Sequence, residues 1–281
     1  MIESFLDSWS LFQESYLLGL ALSALLPLIG VMVVLRRQLF VAAAISQSSV
    51  FGMAFGLWMQ HLAHVHGPHG GVADWVVILP FSLLSSLLCI RTSKQAADQR
   101  EVTTALVFIL STTFAFVLLS QCPIGLKEVQ ERMSSSLISS SMHEFYICIA
   151  LIVFLCIFWW KYHRPIILIS TDPDTAKVMG WRVMNWEFVI ATIVGLVLGW
   201  AVYLSGWLLA FGCLIIPVFI GRLFAKSIYH VLWLAPCFGV VISFAAYIIA
   251  HAIDAPFSQM AVALMGVVYI FSMIFKSRRF A

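Results

Sequence analysis

From Phe188 to Gly221 the chain runs for 34 residues without an Asp, Glu, Lys or Arg. A helix needs about 20 residues to cross the hydrocarbon layer of a bilayer. The run is too long for one ordinary crossing, and it is expected to fold back near Ser205-Gly206 as two helices or as a helix with a re-entrant piece. Its halves, 188–204 and 206–221, join further nearly charge-free segments at about 17–35, 40–59, 75–90, 102–123, 145–160, 231–250 and 256–275. Several are short, so eight crossings and nine both fit. The whole chain is 62% hydrophobic and 10% charged, against roughly 25% charged in soluble domains. These features predict an all-α integral membrane protein, a polytopic bundle of eight or nine transmembrane helices forming one domain over residues 1–281.

The net charge of +3 is small, and the basic residues cluster between the apolar runs. They report orientation rather than nucleic-acid binding. Arg36-Arg37, the Arg91–Arg100 loop, Lys161–Arg182, Arg222–Lys226 and Lys276–Arg279 carry most of the Lys and Arg. With nine spans they all fall on one side, which the excess of positive charge makes cytoplasmic. The opposite side receives the N-terminus, the His61–Asp74 loop, the Pro123–Glu144 segment and the His251–Pro256 turn. The start MIESFLDSW lacks the basic region of a cleaved signal peptide. Six scattered cysteines, most inside apolar runs and none in a CxxC pair, read as small core residues.

One short polar island stands out, Thr171-Asp172-Pro173-Asp174-Thr175-Ala176-Lys177-Val178-Met179-Gly180. Asp172 can cap a helix by accepting from a free N–H of the first turn. Pro173 suits the first helical position, and Gly180 can adopt the left-handed conformation that closes the helix. Two turns are too few for stability in water, so such a helix needs packing partners. On the nine-span map it lies in the cytoplasm, presented to a soluble partner; a solvated loop with incidental cap residues is the other reading of these residues alone.

Four passages then carry a family likeness. They are VMVVLRRQLFVAAAISQSSVFGMAFG (31–56), STDPDTAKVMGWRV (170–183), SGWLLAFGCLIIPVFIGRLFAKS (205–227) and IDAPFSQMAVAL (253–264). Together they show a double-basic turn before a Ser-x-small-small-x-x-Gly helix, an Asp-x-x-x-Ala-x-x-x-Gly segment, a Gly-x-Leu-Leu … Leu-x-Ile-Pro pattern and an Asp-x-Pro turn before the last helix. In this order and spacing the chain resembles permeases of the zinc/manganese/iron ABC transporter family from about Leu18 to Ser272. The resemblance implies a cell-membrane transport subunit for a divalent ion (Mn, Zn or Fe) that holds no permanent cofactor. It implies cytosolic ATPase subunits docking on a short cytoplasmic coupling helix within 170–183, carried by Asp172, Ala176 and Gly180. It also implies a second permease copy or paralogue and an extracytoplasmic solute-binding protein. No Walker A motif is present, Gly125-Leu126-Lys127 lacking the pattern, so the chain is expected to be no enzyme and to need an energising partner.

The likeness breaks at one place. In the family helix corresponding to 40–56 an Asp and, four residues on, a His project from one face, a pair suited to Zn²⁺, Mn²⁺ or Fe²⁺. Here those positions are Ala43 and Gln47, and Gln47 offers only a neutral amide oxygen. The turn at 256–258 also reads Pro-Phe-Ser in place of Pro-Ser-Gly. Three explanations stay open: a paralogue supplies the ligands, other residues of this chain do, or the substrate is not a bare transition-metal ion.

Other groups could meet a substrate. His61, His64, His66 and His69 fall within nine residues, and neutral imidazoles bind first-row metals; the adjoining Gly67-Pro68 and Gly70-Gly71 pairs fit a solvated loop equally well. His251 and Asp254 sit three apart near the outer end of a span, where ionisable groups tend to face cavities, although an Asp before Ala-Pro is also a turn former. With Gln47 they are the candidates for the translocation path. His143-Glu144 can open a span and favour its dipole, Lys127–Arg132 reads as a solvated face, and Ser134–Ser141 as a pore-adjacent stretch or a linker. A secondary carrier would need paired charges at mid-membrane, and the charge-free spans argue against it. A membrane-embedded enzyme would need a catalytic constellation, and no HExxH, GxSxG or paired carboxylate appears.

Overall fold

The computed structural model describes residues 2–62, 74–91, 97–121, 142–253 and 255–280. Among them the order is α1 (Ile2–Leu35), α2 (Leu39–Leu62), α3 (Asp74–Arg91), α4 (Ala97–Ser120), α5 (Met142–Thr171), α6 (Pro173–Val178), α7 (Val183–Phe224), α8 (Ile228–Ile253) and α9 (Phe257–Phe280). Seven of these helices are long and apolar enough to cross a membrane, and Trp75–Ile90 of α3 is a shorter apolar helix. One of the seven is α7, whose 42 residues would span about 63 Å at 1.5 Å per residue, twice the hydrocarbon thickness. It is interrupted where the sequence foretold, at Gly206, whose φ of 77° and ψ of 166° lie outside helix. Only glycine occupies that region freely.

Two boundaries differ from expectation. α1 starts at Ile2, well before the expected 17. The loop expected from Lys161 to Arg182 is mostly helical, since α5 continues to Thr171. Ile166-Ile167-Leu168-Ile169 prolongs the apolar pattern past the charges, and Ile166 and Ile169 are buried. Pro165 is accommodated because the helix has already broken at Tyr162 (φ −117°, ψ 16°), close to where its ring opposes the preceding turn.

The chain divides into two compact units. The first comprises Met1–Val34, Ser134–His163 and Leu208–Ala281, the second Leu35–Met133 and Arg164–Trp207. The divisions fall beside the breaks at Tyr162 and Gly206. In the first unit α1 is central, with Leu18, Leu22, Leu25, Leu26, Ile29 and Met32 fully buried. Ser23 Oγ lies 2.7 Å from Ser243 Oγ of α8, and the Trp159 indole donates to Leu28 O at 3.1 Å. The Tyr247 hydroxyl donates to Ser15 O at 3.0 Å, and its ring stacks on Phe257 at 3.6 Å.

In the second unit α2 packs against both α3 and α4. Phe81 of α3 meets Phe51 and Phe55 of α2 at 5.0 and 5.6 Å. The Ser86 hydroxyl of α3 donates to Ala191 O of α7 at 2.6 Å. Buried polar groups concentrate here: Ser46, Gln47, Ser48, Ser49, Ser82, Ser85, Ser86, Thr104 and Ser111. Ser46, Ser49, Ser82 and Ser85 return their proton to a carbonyl one turn back, as Ser46 does to Ala42 and Ser49 to Ile45, while Ser48 and Ser86 donate to carbonyls of neighbouring helices. That satisfies them inside an apolar layer.

Candidate coupling helix and translocation face

The six residues of α6 are closed at both ends by their own side chains and main chain. Asp172 Oδ1 accepts from Thr175 N at 3.1 Å and Oδ2 from the Thr175 hydroxyl at 2.5 Å. These two donors, the hydroxyl first, hold the Asp172 carboxyl below its ordinary value, with the Asp174 N–H adding to them. Pro173 occupies the first turn. At the other end Trp181 N reaches back to Ala176 O and Gly180 N to Lys177 O, both at 3.0 Å. With Gly180 at φ 83°, these are the paired bonds of a Schellman closure. Asp172 N also donates to Leu168 O at 2.8 Å, so α5 passes into α6 without a free joint.

Packing supplies what two turns lack. Ala176 is fully buried in a cluster with Ile169 and Val183, and Leu168 and Trp186 close around it. Its neighbours on α6 point the other way: Val178 is 89% exposed and Met179 64%. Asp174 and Lys177 pair at 2.8 Å in solvent, where such a pair adds little. α6 is therefore a rigid knob with an apolar tip. Ala176 anchors the knob, and the contact-ready atoms belong to Val178 and Met179, which the sequence pattern of Asp, Ala and Gly did not single out.

The middle of α2 is built differently. Gln47 is buried, and its Oε1 accepts from the Thr112 hydroxyl of α4 at 3.3 Å, while the same hydroxyl lies 2.8 Å from Phe108 O. Ala43, one turn earlier, is half-buried. Ser48 donates to Phe81 O of α3 at 3.0 Å. The face that carries Gln47 is thus neutral and internally satisfied. Near the start of α2 a recess of about 440 Å³ opens between Arg37, Phe40, Glu101 and Thr104. Between the double-basic turn and the foot of α7, Arg36 Nη2 meets Glu187 Oε1 at 3.1 Å, with side chains 6% and 13% exposed. The sequence offered a signal for this pair: Glu187 is an acid one turn into a charge-free helix, and such a group needs a partner.

The remaining candidates are scattered. His61 ends α2 and is exposed, while His64, His66 and His69 lie outside the described residues. His251 is in the last turn of α8, in the other unit from Gln47, and Asp254 is outside the described residues. Lys127–Arg132 and Ser134–Ser141 are likewise outside them, and Glu144 stands in the first turn of α5. Among the described residues no three His, Cys, Asp or Glu side chains gather to hold a metal ion.

The sequence pattern of the ABC 3 transport family matches residues 8–276. The chain belongs to that family. Among curated relatives of this ABC 3 protein is a probable metal transport system membrane protein of Chlamydia trachomatis serovar D, 19% identical over 252 residues, covering 89% of this chain and 83% of the relative. Another is the manganese import system permease protein ScaB of Streptococcus parasanguinis, 20% identical over 275 residues, covering 97% and 94%. Among solved structures, PsaBC from Streptococcus pneumoniae in complex with Fab superposes with a TM-score of 0.79 at 16% identity, over 97% of this chain and 95% of that one. At that identity the likeness speaks for the fold alone, a multi-span helical membrane bundle.

Proposed function

We propose that this ABC 3 protein is the permease subunit of an ATP-driven importer for a divalent transition-metal ion, with Mn²⁺, Zn²⁺ or Fe²⁺ as cargo. The match over nearly the whole chain carries the reading, and the manganese named for ScaB puts Mn²⁺ first among the three. In this reading cytosolic ATPase subunits dock on α6. Asp172 and Gly180 set the ends of the knob, Ala176 seats it, and Val178 and Met179 enter the ATPase surface. A solute-binding protein delivers the ion on the other face, and a second permease copy or paralogue completes the path. Gln47, His251 and Asp254 border that path, and His61, His64, His66 and His69 collect ions near its mouth.

The neutral Ala43/Gln47 face supports a second reading, a permease whose cargo is a chelated metal. A neutral, hydrogen-bonded face suits an ion that arrives with its own ligands, and a structure described as a metal-chelate type ABC transporter shares this fold (TM-score 0.74, 16% identity). Element-by-element uptake in a deletion strain separates the readings. A selective defect for one free divalent ion, restored by this chain, upholds the first; a defect seen only when a chelator accompanies the metal upholds the second. Val178→Glu with Met179→Glu should insert into the membrane normally yet lose at least nine-tenths of the bound ATPase. Undiminished ATPase co-purification from that variant sinks the docking role of α6.

A further inference from the structure

The Arg36–Glu187 pair serves neither the exposed tip of α6 nor the Gln47 contact, yet it stands between them. Four residues, 179–182, separate α6 from α7, and the Schellman bonds plus Val183 N→Trp181 O at 2.9 Å leave them no slack. Val183 and Trp186 of α7 belong to the cluster that seats Ala176, and Glu187 follows at once. Lys177 of α6 is held above its ordinary value first by Asp174 and, more weakly, by the charge of Glu187. The acid is thus within electrostatic reach of the knob. On the other side Arg36 lies three residues before α2 begins, and the next residue, Arg37, has a left-handed φ of 55° that sharpens the turn. Eleven positions after Arg36, α2 carries Gln47 against Thr112.

The geometry points to Arg36 and Glu187 as a positioning pair that fastens the start of α2 to the foot of α7, so that α6 and the Gln47-bearing helix move as one body when ATPase subunits act on α6. A buried pair suits that task. Its contribution is register more than strength: meeting at 3.1 Å with side chains 6% and 13% exposed, the two groups tie one position of the turn before α2 to one position of α7. The inference rests on the importer reading of α6 as the docking element.

The test uses the full permease co-expressed with its ATPase subunits and reconstituted in vesicles, with Mn²⁺ uptake and ATP hydrolysis measured together. Arg36→Gln and Glu187→Gln should retain the ATPase at wild-type yield while ion moved per ATP falls at least tenfold. Arg36→Lys, which keeps the charge, should hold at least half of the wild-type ratio, and the exchange R36E/E187R should regain at least tenfold over the poorer single variant. Wild-type ratios in both glutamine variants overturn the inference. So does loss of ATPase from them, which would mark a merely structural role, and so does failure of both Arg36→Lys and the exchange to recover the ratio. If the wild-type complex moves no metal, the importer reading falls and the pair is still decided by permease-stimulated ATP hydrolysis. Stimulation lost in Glu187→Gln with ATPase bound upholds it, and unchanged stimulation refutes it.

Discussion

In the unit built on α1, two of the tightest helix crossings press a glycine against a main-chain carbonyl. A Cβ at Gly30 would stand 1.9 Å from Leu214 O, and one at Gly239 would stand 2.3 Å from Ser23 O. In the unit built on α2 and α3, the corresponding crossings press glycine against serine side chains. A Cβ at Gly199 would meet Ser82 Oγ at 2.2 Å, and one at Gly195 would meet Ser86 Cβ at 2.9 Å. A carbonyl within a helix cannot step aside without breaking its hydrogen bond, whereas the Ser82 hydroxyl can rotate away from Gly199, although Ser82 Cβ and Ser86 Cβ move only with their backbone. The first unit has side-chain crossings too, Gly19 against the Tyr247 hydroxyl and Gly212 against Val262, so its pair of main-chain crossings is what sets it apart from the unit that carries both α6 and Gln47. The second unit also holds most of the buried serine and threonine hydroxyls.

The largest effect should come from Gly30→Ala or Gly239→Ala. Either forces two backbones apart, at or above the upper end of the roughly 1–3 kcal/mol typical of overpacking, and folded protein should largely vanish from detergent extracts on gel filtration. Wild-type yields from both would break the contrast between the units. Next comes Ala43→Asp combined with Gln47→His, which rebuilds an acid and an imidazole one turn apart. Without metal the buried acid should cost on the order of 2.5–3.5 kcal/mol, and added Mn²⁺ should return the melting temperature toward wild type. A melt insensitive to metal would show that this face cannot form a site even with ligands present.

A smaller loss, about 1–2 kcal/mol, is expected for Gly199→Ala, and here adding Ser82→Ala should recover part of it by removing the nearest clashing atom. No side-chain change at Leu214 can do the same for Gly30→Ala, because the clashing atom is main chain. Equal recovery in both units, read by thermal unfolding, would erase the distinction. The smallest effect concerns the cap of α6. The Asp172 carboxyl is depressed in the folded chain, so its contribution is complete above the unfolded carboxylate value near 3.8 and is lost only as pH falls through the lower folded value. ATPase association should therefore be flat between pH 8 and 5 in Asp172→Asn and wild type alike. A wild-type decline in that window would implicate another group.

What could be read in the sequence follows the range of the forces involved. The closure of α6 depends on Asp172, Pro173 and Gly180, all within nine residues, so local rules were enough. The break at Gly206 was legible because length alone excludes a single crossing. The seating of Ala176 among Ile169, Val183 and Trp186 was foreseen only as a need for partners. The long-range contacts were not legible: Arg36 meets Glu187 across 151 positions, Gln47 meets Thr112 across 65, and Ser23 meets Ser243 across 220. In spans that are apolar nearly all round, periodicity does not say which helices become neighbours. Charge misled at Lys161–Arg164, where a basic cluster after an apolar run suggested a loop, yet the helix resumes beyond Tyr162.

The neutrality of Gln47 has an electrical consequence. A carboxylate at that level would attract a passing divalent cation and slow its release, but, being fixed in the protein, it would leave unchanged the charge that crosses the field. Gln47 supplies no such attraction, while a bare M²⁺ crosses the membrane potential with both its charges, roughly 2.3 kcal/mol per charge for each 100 mV. With the cell interior negative, that drop favours entry and opposes return. On the importer reading, the voltage would then bias bare cargo inward past a face that offers no acid to hold it.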